Sequence, residues 1–409
     1  MTRIIHTADW HLGARLVDCD RLPEQAAFLD WLLAELESLR PDLLIVAGDV
    51  FDGTNPPQEA LNLYYNFLAR LAVRVKCQTL VLGGNHDSPA TLHAPRELLR
   101  ALAIRVIASP ANPLADAFLE LKDAVVCAVP FLRERDVRTA EPGQSADTVA
   151  AAIRDGITQH YRALYALARE KYGPALPLIA TGHLTTVGNI SSESERRIHV
   201  GTLGAVHSRC FDGFAYVALG HIHRPQVVEG HEHVRYSGSP IPLSFDEVEL
   251  PKEIRLITLD AHSLKQEAIR VPSFRPLLRL NCMAGELRKT LTACTTSASI
   301  SLPPWVELSV SDGRSHPDLD RMVRDAAGSL SLRVLKIIAL PEPERKSGDS
   351  LTLSHRSLDE LTPTQVFKEK LLRAAIDPET DAGKELMETF QLLLNRMQEE
   401  DIKAKGAKR

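Results

Sequence analysis

The sequence lacks paired cysteines: Cys19, Cys77, Cys127, Cys210, Cys282 and Cys294 stand far apart, with no C-x-x-C pair. That spacing excludes a zinc ribbon and a disulfide framework, and leaves them as small buried apolar residues. Long hydrophobic runs are also missing. No stretch approaches the roughly 20 apolar residues of a membrane helix, and the opening Met-Thr-Arg-Ile-Ile meets Asp9 too soon for a signal peptide. A cytoplasmic protein without membrane contact is expected. No G-x-x-x-x-G-K-[ST] segment occurs, so ATP hydrolysis is not expected of this chain. Nor is there an excess of positive charge. The net charge is −5, unlike that of a protein that coats nucleic acid. A local groove is still allowed, since bound metal ions carry positive charge of their own.

What is present is an ordinary globular composition, with 44% hydrophobic and 25% charged residues over 409, long enough for more than one domain. Hydrophobic periodicity predicts strands over 3–6, 43–47, 79–82, 125–129, 178–181, 216–219, 227–229, 234–236 and 253–259. Helices are predicted over 23–39, where Pro23 suits the first turn, and over 57–73 and 147–172. Strands alternating with helices indicate a layered α/β core. Two further strands at 277–280 and 334–338, with a helix near 318–328, suggest a small second domain. The polar, proline-bearing stretch from Pro341 reads as a linker to two terminal helices.

Five short polar motifs fall where strands end: Asp9-Trp10-His11, Gly48-Asp49, Gly84-Asn85-His86-Asp87, Gly182-His183 and Gly220-His221-Ile222-His223. In open α/β folds the carboxyl ends of strands form the ligand crevice, so these motifs should converge. Their chemistry suits two adjacent divalent ions. Asp9 and His11 are two residues apart and, in an extended segment, would point the same way; His221 and His223 would repeat that geometry. Asp49 has two oxygens and can join both ions, while Asn85 offers a neutral one. Each residue alone has an ordinary explanation, such as a turn cap or a surface histidine. Seven metal-competent residues in this order do not.

The ordered set resembles the calcineurin-like metallophosphoesterase superfamily. More narrowly, Ile5–Gly13, Val46–Asp52, Gly84–Ser88, Val217–Gln226 and Tyr236–Glu247 are similar to the SbcD family of nuclease subunits. The similarity is specific to about residue 260 and looser beyond. It departs at Ala215, where that family is expected to carry Asp; the position is not a ligand. The resemblance implies a layered αββα sandwich with a small α/β cap domain and C-terminal helices, divided as 1–272, 273–341 and 342–409. It implies one metal held by Asp9, His11, Asp49 and His223, and another by Asp49, Asn85, His183 and His221. Such a pair clamps the attacking and leaving oxygens of an in-line displacement by hydroxide. His86 would stabilise the transition state and protonate the leaving oxygen, with Asp87 fixing its ring. Oxygen and imidazole donors without thiolate suit manganese, iron or zinc over magnesium, and the family implies manganese. It further implies DNA as substrate, an SbcC-type coiled-coil ATPase as partner, and a homodimer within a heterotetramer. The activity expected is exonuclease on double-stranded ends and endonuclease on single strands and hairpins. A phosphatase or nucleotide phosphodiesterase of the same fold is the alternative enzyme, and a non-catalytic DNA-binding scaffold the alternative outside enzymes.

Several near-matches have simpler readings. His231-Glu232-His233 imitates a metal pair but reads as a solvated hairpin turn beside Gly230. His6 belongs to the core or supports the site, and Asp52 shapes the site without binding metal. From Pro272 to Leu340, nine Lys or Arg stand against six Asp or Glu, a mild excess compatible with a DNA-guiding cap. Arg196, Arg197 and Arg224 are weaker candidates for DNA contact. The apolar stripe Leu386, Phe390, Leu393, Leu394 and Met397 suits docking onto a partner.

Overall fold

A computed structural model describes residues 1–139, 143–190, 205–228, 230–260, 263–294 and 302–341, with a few isolated positions beyond. The chain forms two compact units, Met1–Pro343 and Glu344–Arg409. Apart from isolated positions, the expected C-terminal helices lie outside the described residues, as do Arg196 and Arg197.

The unit Met1–Pro343 is built on two six-stranded sheets. The first runs in the order Leu264–Arg270, Glu253–Leu259, Thr2–Thr7, Leu43–Val46, Gln78–Leu82, Ile104–Ile107, the last four strands parallel. The second runs Gln226–Val228, His231–Tyr236, Tyr216–Gly220, Leu178–His183, Val125–Cys127, Phe118–Glu120, parallel through its middle four.

The two-residue alternation of a strand assigns each side chain to a layer. Ile5, Leu44 and Val46 bury with Leu32 and Leu36 of the helix Leu22–Leu39 and Phe67 and Leu71 of the helix Gln58–Arg74. Their neighbours Ile4, Leu43 and Ile45 face the other way and pack with Val126, Ile179 and Ala218 of the second sheet. Val125, Cys127 and Val217 then pack under Ile157, Tyr161 and Leu164 of the helix Ala146–Tyr172. The result is the expected αββα sandwich. Each such aliphatic side chain contributes about 1.5–3 kcal/mol on full burial. His6 crosses the interior: Nε2–H donates to the Leu219 carbonyl at 3.1 Å and Nδ1 accepts from the Tyr216 hydroxyl at 3.0 Å. Burial lowers its pKa to about 3, so it is a neutral pin between the sheets.

A small parallel sheet follows, with Trp305–Val310 between Leu277–Cys282 and Arg333–Ala339, covered by helices Leu287–Ala293 and Leu319–Ala327. Its central strand escapes the hydrophobic pattern because Glu307 interrupts it. In the sheet, Glu307 stands opposite Arg279 and Lys336 and pairs with them at 2.9 and 2.6 Å. The strands Ile104–Ile107, Phe118–Glu120 and Leu264–Arg270 likewise lie outside the predicted set; they are short or polar edge members. His231 and His233 do not sit in a turn but open the strand His231–Tyr236, just after Gly230 at φ +76°. Five cysteines are buried and Cys294 is half-buried, all with free thiols. Among the described residues no helix is long and apolar enough to cross a membrane.

Candidate metal centre

Asp9 and His11 follow the strand Thr2–Thr7, Asp49 follows Leu43–Val46, and Asn85 and His86 follow Gln78–Leu82. From the other sheet, His183 closes Leu178–His183, and His221 and His223 follow Tyr216–Gly220. The extended geometry expected for Asp9 and His11 is not found. Asp9, His11, Asp49 and His221 have φ of +53°, +44°, +48° and +98°. Left-handed backbone costs a non-glycine residue about 1–3 kcal/mol. Pairing between the loops offsets that cost. The N–H groups of Asp9, His11 and Leu12 donate to the carbonyls of Gly48, Asp49 and Val50 at 3.0, 3.0 and 2.9 Å. The glycines of the motifs are the spaces the ligand side chains occupy: a Cβ on Gly48 would fall 2.3 Å from His183 Nδ1, and one on Gly84 2.1 Å from Asp49 Oδ1.

Two fully buried groups of side chains result, beside a third of His11, Asp52 and His86 in which Asp52 is exposed. Asp9, His11 and His223 offer ligand atoms within 4.8 Å of one another, and so do Asp49, His183 and His221. Asn85 Oδ1 joins the second group, 2.9 Å from both His183 Nε2 and His221 Nδ1. Asp49 Oδ2 stands between the groups, 3.2 Å from His183 Nε2 and 3.6 Å from His11 Nε2. Asp9 Oδ2 and His11 Nε2 are buried without a hydrogen-bond partner among the described residues. Buried polar atoms are seldom left unpaired, and a cation satisfies an anionic oxygen and an imidazole lone pair together. The donor set therefore fits a pair of divalent ions.

The charges are tightly balanced. Burial pushes the Asp9 carboxyl up to about 7, with the Asp49 charge adding to the rise and His183 opposing it. Burial acts in the same direction on Asp49, but His183, His11 and His86 outweigh it and hold this carboxyl well below its ordinary range. For His183, burial disfavours the charged ring, yet Asp49 and Asp9 overcome it and raise the pKa to about 9. Cations entering the site would displace a proton shared among these groups.

His86 is held differently from the expectation. Its Nδ1–H donates to the Asp52 carbonyl at 2.7 Å, and its backbone N–H donates to Asp49 Oδ1 at 2.9 Å. Its Nε2 is buried without a partner among the described residues, and the ring lies 4.9 Å from that of His11. Asp87 does not touch this ring. Its carboxylate accepts the N–H groups of Gly84, Phe51 and Val50 at 2.8, 3.0 and 3.1 Å, so it ties two site loops together. Asp52 acts through two atoms, since its Oδ1 also lies 3.2 Å from His11 Nδ1.

Sequence reasoning missed Glu247. This buried carboxylate places Oε1 3.4 Å from His223 Nδ1, while Oε2 accepts from Lys252 Nζ at 2.6 Å and from the Leu243 N–H at 3.1 Å. Burial opposes its ionisation, but Lys252 and His223 hold its pKa well below the usual carboxylate range. Only its place in the Tyr236–Glu247 segment was a signal. A carboxylate on one imidazole nitrogen orients the other toward a metal. Glu247→Gln is expected to weaken binding of one of two ions by about 10–100-fold in metal titration calorimetry. The same variant also strands Lys252, so the double variant Glu247→Gln, Lys252→Met serves as the folding control. Unchanged affinity in both would remove the orienting role.

Comparison with known proteins agrees with this geometry. Residues 2–225 match the family described as calcineurin-like phosphoesterase, and 273–374 match one described as the type 5 capsule protein repressor C-terminal domain. The SbcD subunit of the SbcCD nuclease of Escherichia coli K12 is 38% identical over 383 residues, spanning 92% of this chain and 94% of the relative. The Rhodobacter capsulatus protein of that name is 34% identical, spanning 89% and 93%. That of Bacillus subtilis is 28% identical, spanning 98% and 100%. Similarity over nearly the whole length, together with two metal-competent groups at the strand ends, establishes that the chain belongs to the SbcD family of calcineurin-like phosphoesterases, metal-dependent hydrolases of phosphate esters.

Proposed function

We propose that this chain is the nuclease subunit of a DNA end-processing complex, cutting double-stranded ends as an exonuclease and single strands and hairpins as an endonuclease in repair, recombination and replication. One observation carries the reading: two fully buried ligand groups meet at Asp49 beside the imidazole of His86, which belongs to neither of them. The names of the relatives support it. One ion would be held by Asp9, His11, Asp49 and His223, the other by Asp49, Asn85, His183 and His221. When bound, the ions supply Lewis acidity and an activated water for in-line attack at phosphorus. Oxygen and imidazole donors suit manganese, iron or zinc, and the family resemblance is the reason to name manganese.

The chain's own residues do the rest. Asp49 sets the spacing of the two ligand groups. His86 keeps Nδ1–H on the Asp52 carbonyl, which leaves Nε2 to carry the proton for the leaving oxygen. Asp87 keeps the loops of Asp49 and His86 in register. The three-stranded domain serves as a DNA-facing cap. The terminal helices, about 358–403, dock onto an SbcC-type coiled-coil ATPase, in a heterotetramer containing two copies of this chain.

In manganese the purified chain is expected to cut circular single-stranded DNA, with activity lost in chelator. After truncation at Ser357 it should still cut, while losing the ATPase partner and any stimulation by ATP. Hydrolysis of small phosphate esters alone would favour the phosphatase alternative. A truncated chain that unfolds, or still binds the partner, would return the terminal helices to the protein's own core.

A further inference from the structure

The geometry points to Arg133 as the residue that binds a substrate phosphate next to the scissile one, an inference that rests on the DNA-cleaving role above. Arg133 ends the segment Pro130-Phe131-Leu132-Arg133 that leads from the strand Val125–Cys127 into the helix Glu134–Val137. That segment is fixed beside the Gly84-Asn85-His86-Asp87 loop, because the Phe131 N–H donates to the Gly83 carbonyl at 2.9 Å. The Arg133 guanidinium lies 5.9 Å from the centre of the Phe131 ring, and Nη2 donates to the Asp87 carbonyl at 3.2 Å. The Phe131 ring in turn lies 6.2 Å from that of His183. The cation is thus one aromatic ring away from a metal-competent histidine and bonded to the residue that follows His86.

Its charge is not spent on the protein. Arg21, Arg74, Arg138 and Arg275 each pair with a glutamate, whereas Arg133 forms no ion pair among the described residues. Its Nε and Nη1 have no protein partner among the described residues, and neither is among the buried unpaired atoms. Of the four carboxylates on the neighbouring loops, Asp9, Asp49 and Asp87 are buried and Asp52 is exposed. A polyanion approaching such a site in a chain of net charge −5 needs a fixed cation nearby. A guanidinium anchored by one N–H on a backbone carbonyl presents its remaining N–H groups as a planar fork, the geometry that binds two phosphate oxygens. Displaced from His183 by a ring's breadth, it meets the neighbouring phosphate rather than the one being cut. Arginine serves here as a substrate-binding group, and His86 keeps the chemistry.

The competing role is a clamp on the Asp87 carbonyl. Glutamine at position 133 keeps an N–H donor for that carbonyl but no charge; lysine keeps the charge. Binding of a labelled single-stranded oligonucleotide is measured by anisotropy between about 50 and 200 mM salt. Arg133→Gln should reduce the log–log salt slope by about 0.7, the share of one phosphate on a single strand, and Arg133→Lys should keep it. In manganese, Arg133→Gln should lose about tenfold more kcat/KM on the oligonucleotide than on bis(p-nitrophenyl) phosphate, which has one phosphate only, a difference of about 1.4 kcal/mol. A wild-type slope in Arg133→Gln, or equal losses on the two substrates, overturns the proposal in favour of the clamp. A wild-type chain that hydrolyses the small diester but neither binds nor cuts the oligonucleotide overturns the nuclease reading itself, and with it the role of Arg133.

Discussion

Replacing His86 with alanine is expected to lower DNA cleavage by about 10²–10⁴-fold, the usual contribution of a placed general acid, while two ions remain bound per chain. The arrangement around the ring separates these two outcomes. Neither fully buried group contains His86, since Asp9, His11 and His223 make one and Asp49, His183 and His221 the other; the third group, His11, Asp52 and His86, takes His11 from the first. Its Nδ1 is committed to the Asp52 carbonyl, and its Nε2 is the atom without a partner among the described residues. Loss of the ring removes a proton donor and leaves the ligand atoms in place. Elemental analysis of the variant, alongside turnover in manganese, tests both halves. Undiminished turnover would end the acid role, and loss of an ion would make His86 a ligand.

Asp49→Asn should do wider damage than Asp9→Asn. Asp49 Oδ2 faces the imidazoles of both groups, His183 at 3.2 Å and His11 at 3.6 Å, and Oδ1 accepts the backbone N–H of His86 at 2.9 Å. Asp9 instead offers a ligand atom to one group only, its unpaired Oδ2, because Oδ1 accepts the backbone N–H of His221 at 2.8 Å. The Asp49 variant is therefore expected to retain fewer than two ions, and the Asp9 variant to keep its second ion. Loss of metal-based charge stabilisation is worth several kcal/mol, about three powers of ten in rate. Metal stoichiometry is again the decisive measurement. Two ions held by the Asp49 variant at full affinity would contradict a shared ligand.

The order of the two variants follows from tertiary contacts, and the sequence shows only part of them. The five motifs after apolar strands were legible because a parallel strand carries a recognisable apolar run, and its polar end marks the crevice. The run at 43–47 is apolar throughout, because one of its faces packs on helices and the other on the second sheet. Backbone conformation was not legible. Asp9 and His11 look like an extended pair in spacing, yet both are left-handed, because the loop is shaped by hydrogen bonds to Gly48 and Asp49 about forty positions away. Asp87 looked like the partner of the adjacent His86, but three backbone N–H groups from Val50, Phe51 and Gly84 claim it. The strand around Glu307 was hidden for a similar reason: its charge is satisfied by Arg279 and Lys336, which a linear pattern does not pair.

By itself the sequence determined the kinds of donor, their order and the strand ends that carry them. Those properties are local: they depend on side-chain chemistry and on the two-residue repeat of a strand. The tertiary structure alone decided that Asp52 and not Asp87 holds His86, and that Glu247 with Lys252 backs His223. Each of those contacts joins residues whose separation along the chain has no periodic meaning. They exist because two sheets with independently fixed faces bring their carboxyl ends to one place, and burial there requires every charge to find a partner.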